Sequence, residues 1–190
     1  MAEFKEAYRK LIQLEFSNNP ELFLHLNKNE IGYTLGGIYE KYNKEAIDWD
    51  FIRRVVDLCR GDIRQASKLL YWDKELHSQV YTAFEYKYWK KYKLGQIRSQ
   101  LIADEIIVSL VNIGNKAIKF AQQVVGVVDD GIVGINTLNA LNDFNELEFS
   151  KLFDVKEIEH YNNIVKSNPA MAINLKGWLS RAKSVSDGLV

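Results

Sequence analysis

Two glutamates near the start of the chain could perform acid–base chemistry together. Glu15 ends a segment with one apolar face, and Glu30 follows among polar and glycine-containing residues. A carboxyl group that protonates a leaving oxygen, paired with a carboxylate that activates water or attacks carbon, cleaves glycosidic bonds. Spacing alone leaves two plainer interpretations open, an ordinary helix-end carboxylate at Glu15 and a solvated loop glutamate at Glu30.

The element that must position Glu15 is predicted to be a helix. Apolar residues recur at helical spacing from about Glu3 to Phe16, and the polar segment that leads to Pro20 ends the pattern. Glu15 would then lie at the negative end of the helix dipole and partly on the apolar side, which favours its protonated form. A general acid that works near neutral pH needs that form.

A glycine-containing segment is predicted to face this helix end. Residues 33–39 read Tyr-Thr-Leu-Gly-Gly-Ile-Tyr and combine strand-forming residues with paired glycines, so we predict a small β-hairpin or an irregular glycine loop. Tyr33 is a candidate substrate contact in that segment. His25 could orient a carboxylate or a sugar, but its neighbours do not form a metal-ligand spacing.

The rest of the sequence predicts a mainly α protein. Prolines occur only at 20 and 169, and long stretches carry apolar residues at three- and four-residue spacing. Asp62 is predicted to cap a helix. Further helices are predicted over about 49–59, 62–72, 76–92, 97–113, 115–125, 136–141, 156–167 and 169–183. No repeat or linker interrupts residues 1–190, so we predict a single domain.

Composition argues against several classes of partner. Lysine plus arginine equal aspartate plus glutamate at 25 each, so no net field attracts nucleic acid. No apolar run approaches the roughly 20 residues of a membrane span, and no signal peptide is apparent, so stable membrane insertion is not expected. The lone Cys59 is best interpreted as a small buried apolar residue.

No cofactor and no metal are predicted. Asp129-Asp130-Gly131 lacks the further oxygen ligands at alternate positions that a calcium loop requires, so we interpret it as a turn. Among possible sugar contacts, Tyr88 and Trp89 offer flat apolar faces, although most aromatic residues of their segment should be core. Asn112 is either a satisfied core amide or a cleft residue that binds the ligand, and Tyr161 is a further candidate contact.

Several motifs resemble those of known cell-wall enzymes. Glu15 followed by Thr34-Leu35-Gly36-Gly37-Ile38 resembles the Glu…Thr-x-x-Gly-Ile arrangement of lysozyme-like muramidases. The sequence also resembles glycoside hydrolase family 108, whose characteristic motifs occur here in the same order. They are Tyr88-Trp89, Ala103-Asp104, Val111-Asn112-Ile113-Gly114, Asn168-Pro169 and Gly177-Trp178-Leu179-Ser180-Arg181.

The segment from Gln122 to Leu138 is the most specific part of this resemblance, which spans about Phe4 to Ala182. It is similar to the family's peptidoglycan-binding segment, with the core Val-Asp-Gly-x-x-Gly-x-x-Thr-Leu. Two departures occur near the catalytic end. The family's Glu-Gly-Gly-Tyr is Glu15-Phe16-Ser17-Asn18 here, and its Gly-Gly-Glu-Thr is Ile31-Gly32-Tyr33-Thr34.

The resemblance implies a lysozyme-like muramidase that binds peptidoglycan glycan strands and hydrolyses the bond between N-acetylmuramic acid and N-acetylglucosamine. It implies that Glu15 is the general acid and that the Thr34 hydroxyl orients water or substrate. It also implies a catalytic half over residues 1–93 and a helical peptidoglycan-binding half over 94–185. Whether the enzyme is retaining or inverting, or a hydrolase or a lytic transglycosylase, stays open.

Two biological contexts fit such an enzyme. A phage endolysin would reach the wall through holin lesions, and a secretion-associated enzyme would open the wall locally. In both, the protein would be made in the cytoplasm and would act in the periplasm or the wall. The alternatives are a non-catalytic peptidoglycan-binding module and a helical interaction protein such as a secretion accessory.

Overall fold

A computed structural model describes residues 1–27 and 31–188 and contains nine α-helices and three short strands in those ranges. The helices are α1 (Phe4–Phe16), α2 (Trp49–Leu58), α3 (Ile63–Leu70), α4 (Lys74–Phe84), α5 (Gln100–Ile113), α6 (Lys116–Val124), α7 (Ile135–Asp143), α8 (Glu146–Ser167) and α9 (Ala172–Ala182). The strands are β1 (Leu24–His25), β2 (Thr34–Leu35) and β3 (Ile38–Tyr39). The prediction of a mainly α fold with a small hairpin is confirmed.

The chain divides into two compact units. The first, here called the hairpin unit, is Leu11–Lys87 and contains the sheet. The second, here called the helical unit, is Met1–Lys10 together with the described residues from Tyr88 onward. No helix in the described ranges is both long enough and apolar enough to span a bilayer.

The sheet of the hairpin unit has one buried face and one more polar face. Strand β2 pairs with β1 and β3 in antiparallel register. Successive side chains of a strand alternate between the two faces, so directly paired residues share a face. The buried face carries Leu24, Leu35 and Ile38, and the other carries His25, Thr34 and Tyr39.

The turn between β2 and β3 depends on its two glycines. Gly36 has a φ of 53° and Gly37 a φ of 87°. A two-residue hairpin turn of type I′ requires positive φ at both positions, and glycine adopts such values without a steric penalty. The paired glycines therefore explain why the segment forms a tight hairpin rather than a loose loop.

Aromatic packing and one buried serine fix the hairpin to its helices. The Phe23 ring stacks on His77 with 4.6 Å between ring centroids. The Leu24 N–H donates to Ser67 Oγ at 2.9 Å, and this hydroxyl in turn donates to the Pro20 carbonyl. Ser67 belongs to α3, so the position of β1 depends on that helix.

The predicted cap of α3 is confirmed, because the Asp62 side chain accepts from the Gln65 N–H at 3.0 Å. Two other predicted boundaries were wrong. Helix α5 begins after Ser99, whose hydroxyl accepts from the Ile102 N–H, and not at Ile97. Helix α4 ends at Phe84, and a π-helical segment, Glu85–Lys90, follows it.

Helix α8 shows the largest difference from the sequence prediction. It begins at Glu146 rather than near Lys156, because the Asn145 side chain accepts from the N–H groups of Leu147 and Glu148. Its first half buries Phe149 and Phe153. These rings belong to the core of the helical unit, where α8 packs against α5, α6 and α9.

Candidate functional site

The Glu15 carboxyl lies directly against the hairpin turn. Glu15 is in the last turn of α1 and is half-buried. A Cβ atom at residue 37 would lie 2.9 Å from both Cγ and Oε2 of Glu15, which is closer than unbonded atoms pack. The carboxyl therefore occupies space that exists only because residue 37 is glycine. The glycine segment therefore lies in direct contact with the end of α1.

Two more predicted site residues lie on the polar face of the same sheet. His25 and Thr34 are direct cross-strand partners, so their Cβ atoms are within about 5.5 Å of each other. Thr34 is 7% exposed, whereas His25 and Tyr33 are half-buried. Glu30, the predicted second carboxylate, lies outside the described residues.

Glu40 is a carboxylate of this region that sequence reasoning missed. Its side chain accepts from the Tyr33 N–H at 3.0 Å, forms an ion pair with Arg53, and is largely buried. It lines a cleft of about 430 Å³ together with Leu26, Ile31, Gly32, Tyr33, Lys41, Lys44 and Arg53. In the sequence, the feature that could have pointed to Glu40 is its position directly after β3. The two bonds explain how Glu40 holds the backbone before β2 in place.

A larger cleft in the hairpin unit, of about 680 Å³, is distinct from Glu15. It is lined by Lys41, Tyr42, Asn43, Lys44, Glu45, Ala46, Ala83, Tyr86 and Lys87. Lys87 Nζ donates to Asn43 Oδ1 at 3.0 Å across it. Cavity size therefore does not select the Glu15 site. That site is selected by its chemistry, a carboxyl group held against a tight backbone turn.

The predicted aromatic contacts of the helical unit occupy different environments. Trp89 is buried and packs against Phe4 with 5.5 Å between ring centroids, whereas Tyr88 is half-buried. Tyr161 is 3% exposed, and burial raises the pKa of its hydroxyl to about 12. It lies beneath Trp178 in a stacked pair with 5.2 Å between ring centroids. Trp89 and Tyr161 thus contribute to packing, and Trp178 is the more accessible ring.

Asn112 is exposed and connects α5 to α9. Its Nδ2 donates to the Val108 carbonyl at 2.9 Å, and its Oδ1 accepts from Arg181 at 2.7 Å. It lines a cleft of about 360 Å³ on the helical unit with Ile173, Asn174, Gly177, Trp178 and Arg181. Asn112 is therefore an exposed residue of this cleft and not a buried core amide.

The most specific sequence motif forms a hydrogen-bonded loop between α6 and α7. The buried Gln122 side chain donates to Asp130 and Thr137 and accepts from the Gly131 N–H at 2.8 Å. Asp130 Oδ1 also accepts from the Ile132 N–H, and these bonds lower the pKa of the Asp130 carboxyl. Asp129-Asp130-Gly131, predicted as a turn, lies in this loop with a bend at Asp130 and Gly131, and Gln122 and Asp130 hold its backbone.

A cluster of buried carboxyl groups lies in the core of the helical unit. Burial raises the pKa of Glu105 to about 9 and that of Glu157 to about 8. The Ser150 hydroxyl donates to Glu105, and the Ser186 hydroxyl donates to Asp154 at 2.7 Å. Burial therefore favours the protonated form of both glutamates. Their chemistry is that of structural groups, since they are enclosed by packed helices.

The comparisons with known proteins point to the bacterial cell wall. Residues 116–183 match the family model described as "Predicted Peptidoglycan domain". The chain has a peptidoglycan-related function. The match covers α6 to α9 and includes the Gln122 loop and the residues of α9 that line the Asn112 cleft.

A solved structure extends the similarity to the whole fold. The structure of Brucella abortus SagA aligns with a TM-score of 0.65 over 97% of this chain and 92% of that chain. Sequence identity is 18%, so this likeness describes the fold alone. No curated protein is significantly similar to the chain.

Proposed function

We propose that the protein is a peptidoglycan muramidase that hydrolyses the β-1,4 bond between N-acetylmuramic acid and N-acetylglucosamine. The observation that carries the proposal is the Glu15 carboxyl at the end of α1, held against Gly37 of the hairpin. The peptidoglycan family match over residues 116–183 supports the substrate class. The resemblance to glycoside hydrolase family 108 supports the reaction.

In this proposal Glu15 protonates the glycosidic oxygen as the bond breaks. The Thr34 hydroxyl, on the polar face of the sheet, orients water or the sugar, and His25 lies beside it. Glu30 is proposed as the second carboxylate, which activates water or attacks the anomeric carbon. Tyr33, Tyr88 and Asn112 remain proposed substrate contacts. Trp89 and Tyr161, which the sequence also offered as contacts, are buried and are proposed to support the site through packing.

The test compares the wild-type protein with Glu15→Gln and a control, Glu75→Gln, on purified peptidoglycan. Glu75 is an exposed glutamate in α4 of the same unit. We expect wild type and Glu75→Gln to clear turbidity and to release muropeptides with reducing muramic acid ends. We expect Glu15→Gln to lose at least about 100-fold in rate, because general acid catalysis contributes about that much. Equal rates for Glu15→Gln and Glu75→Gln would remove Glu15 from the mechanism.

One observation favours a second candidate, a non-catalytic peptidoglycan-binding module. The family match ends within the helical unit and does not include Glu15 or the hairpin. Such a module would sediment with peptidoglycan and release nothing from it. Release of anhydro ends instead would assign a lytic transglycosylase. The endolysin and secretion contexts, with their different routes to the wall, belong to the muramidase proposal.

A further inference from the structure

We propose that the α9 cleft binds a carboxylate of the peptidoglycan stem peptide. The cleft is the one lined by Asn112, Ile173, Asn174, Gly177, Trp178 and Arg181. This inference rests on the proposed function for its substrate class. It assigns the helical unit a ligand different from the glycan strand that Glu15 would cleave.

The charge of the cleft favours an anionic group. Arg181 is the one ionisable residue that lines the cleft, so the lining itself carries a positive charge. Asn112 Oδ1 accepts from Arg181 Nη1, and Asn112 Nδ2 donates to the Val108 carbonyl, so the amide holds the guanidinium in place. A fixed planar guanidinium binds a carboxylate with strong, directional hydrogen bonds. Asn174 adds an amide that can bond to either a carboxylate or a peptide group.

An apolar wall lies beside this charge. Trp178 stacks on the buried Tyr161, so its ring is a rigid platform. Ile173, which is 87% exposed, adds an alkyl group to the same wall. A carboxylate next to an alkyl group would satisfy both the cation and the apolar surface. Stem peptides carry such groups in their alanine and diamino-acid residues, whereas the N-acetylated sugars of the strand are neutral.

Gly177 keeps the cleft open. It lies inside α9, where glycine costs about 1 kcal/mol relative to alanine. A Cβ atom there would meet no atom of the described structure within 4 Å, so packing does not require glycine. Residues 173, 177 and 181 recur at four-residue spacing and share one face of the helix. The missing side chain therefore leaves room for a ligand between Ile173 and Arg181.

The test measures binding of a free stem tetrapeptide, L-Ala-γ-D-Glu-diaminopimelyl-D-Ala, to the full-length protein. The shift of the Trp178 indole N–H in NMR titrations is the signal. We expect Arg181→Gln and Gly177→Leu each to weaken binding at least tenfold, while Arg98→Gln, an exposed arginine of the same unit, binds as wild type. Gly177→Leu should fold with an unchanged or higher melting temperature, because it improves helix propensity without a clash.

Two ligand controls define the chemistry. A tetrapeptide with amidated carboxyls and a neutral chitotetraose should both fail to shift the Trp178 signal. Undiminished tetrapeptide binding by folded Gly177→Leu and Arg181→Gln would overturn the proposal, as would equal binding of the amidated peptide. The tetrapeptide has no glycosidic bond, so this result is independent of hydrolysis. Tetrapeptide binding without muropeptide release would contradict only the muramidase proposal. Muropeptide release without tetrapeptide binding would contradict only the proposal for the α9 cleft.

Discussion

Gly37 is the residue at which an added side chain would displace the proposed acid, Glu15. We expect Gly37→Ala to lower the rate of muropeptide release at least about tenfold, because the new Cβ must displace the Glu15 carboxyl and small displacements are costly in catalysis. The same change should destabilise the protein by roughly 1–2 kcal/mol, since alanine is strained at a φ of 87°. Initial rates and urea denaturation measure the two effects.

Gly61 offers a matched control for this substitution. It has a φ of 81°, yet a Cβ atom there would meet nothing within 4 Å. Gly61→Ala should therefore show a similar loss of stability with wild-type rates. Parallel losses of rate in both variants would mean that backbone strain, and not contact with Glu15, explains the effect.

Single residues also show the limit of sequence reasoning at this site. Glu15 and the paired glycines were predictable, because a helix end and a Gly-Gly turn are local patterns. The role of Glu40 was not, because its ion pair with Arg53 and its bond to the Tyr33 N–H join residues that only the folded hairpin brings together. The Asn112 bond to Arg181 is more distant still, because it joins α5 and α9 across 69 positions of sequence.

At the scale of elements, α3 supports the strand that carries His25. Its N-terminus is capped by Asp62, and its Ser67 binds the backbone of β1. We expect Asp62→Ala to lower the free energy of unfolding by about 1 kcal/mol, because the cap to the Gln65 N–H is lost. Urea denaturation followed by circular dichroism measures this change.

Asp57→Ala is the control, since Asp57 is an exposed carboxylate of α2 in the same unit. It should stay within about 0.5 kcal/mol of wild type. If the two variants had the same stability, the Asp62 bond would not contribute to the fold.

Two helix starts had a local signal in the sequence, and only one of them was recognised. The Asp62 cap of α3 was predicted, whereas the Asn145 cap that begins α8 was missed. The first half of α8 also depends on tertiary packing, because Phe149 and Phe153 are buried there. Strand β1 had no local signal, because its two residues form a strand only by pairing with β2.

At the scale of the whole molecule, the buried carboxyl groups make stability depend on pH. Glu105 has a pKa raised to about 9 by burial, with Asp154, Glu157 and Asp104 adding to the effect and the Ser150 hydroxyl opposing it. In the unfolded chain the same group titrates near 4.5. Between these values the folded protein holds a proton that the unfolded chain has released. Stability is therefore greatest below about pH 4.5 for this group and falls as pH rises towards 9.

Glu105→Gln isolates this effect, because it removes the charge and keeps an oxygen that can accept from Ser150. From pH 5.5 to 8.5, the free energy of unfolding of wild type should fall more steeply than that of the variant. The difference in slope should be up to about 1.4 kcal/mol per pH unit for one proton. Glu148→Gln, an exposed change in α8, should retain the wild-type slope. Parallel curves for wild type and Glu105→Gln in denaturant titrations would show that the Glu105 carboxyl ionises alike in the folded and unfolded chain, against the burial that the fold imposes on it.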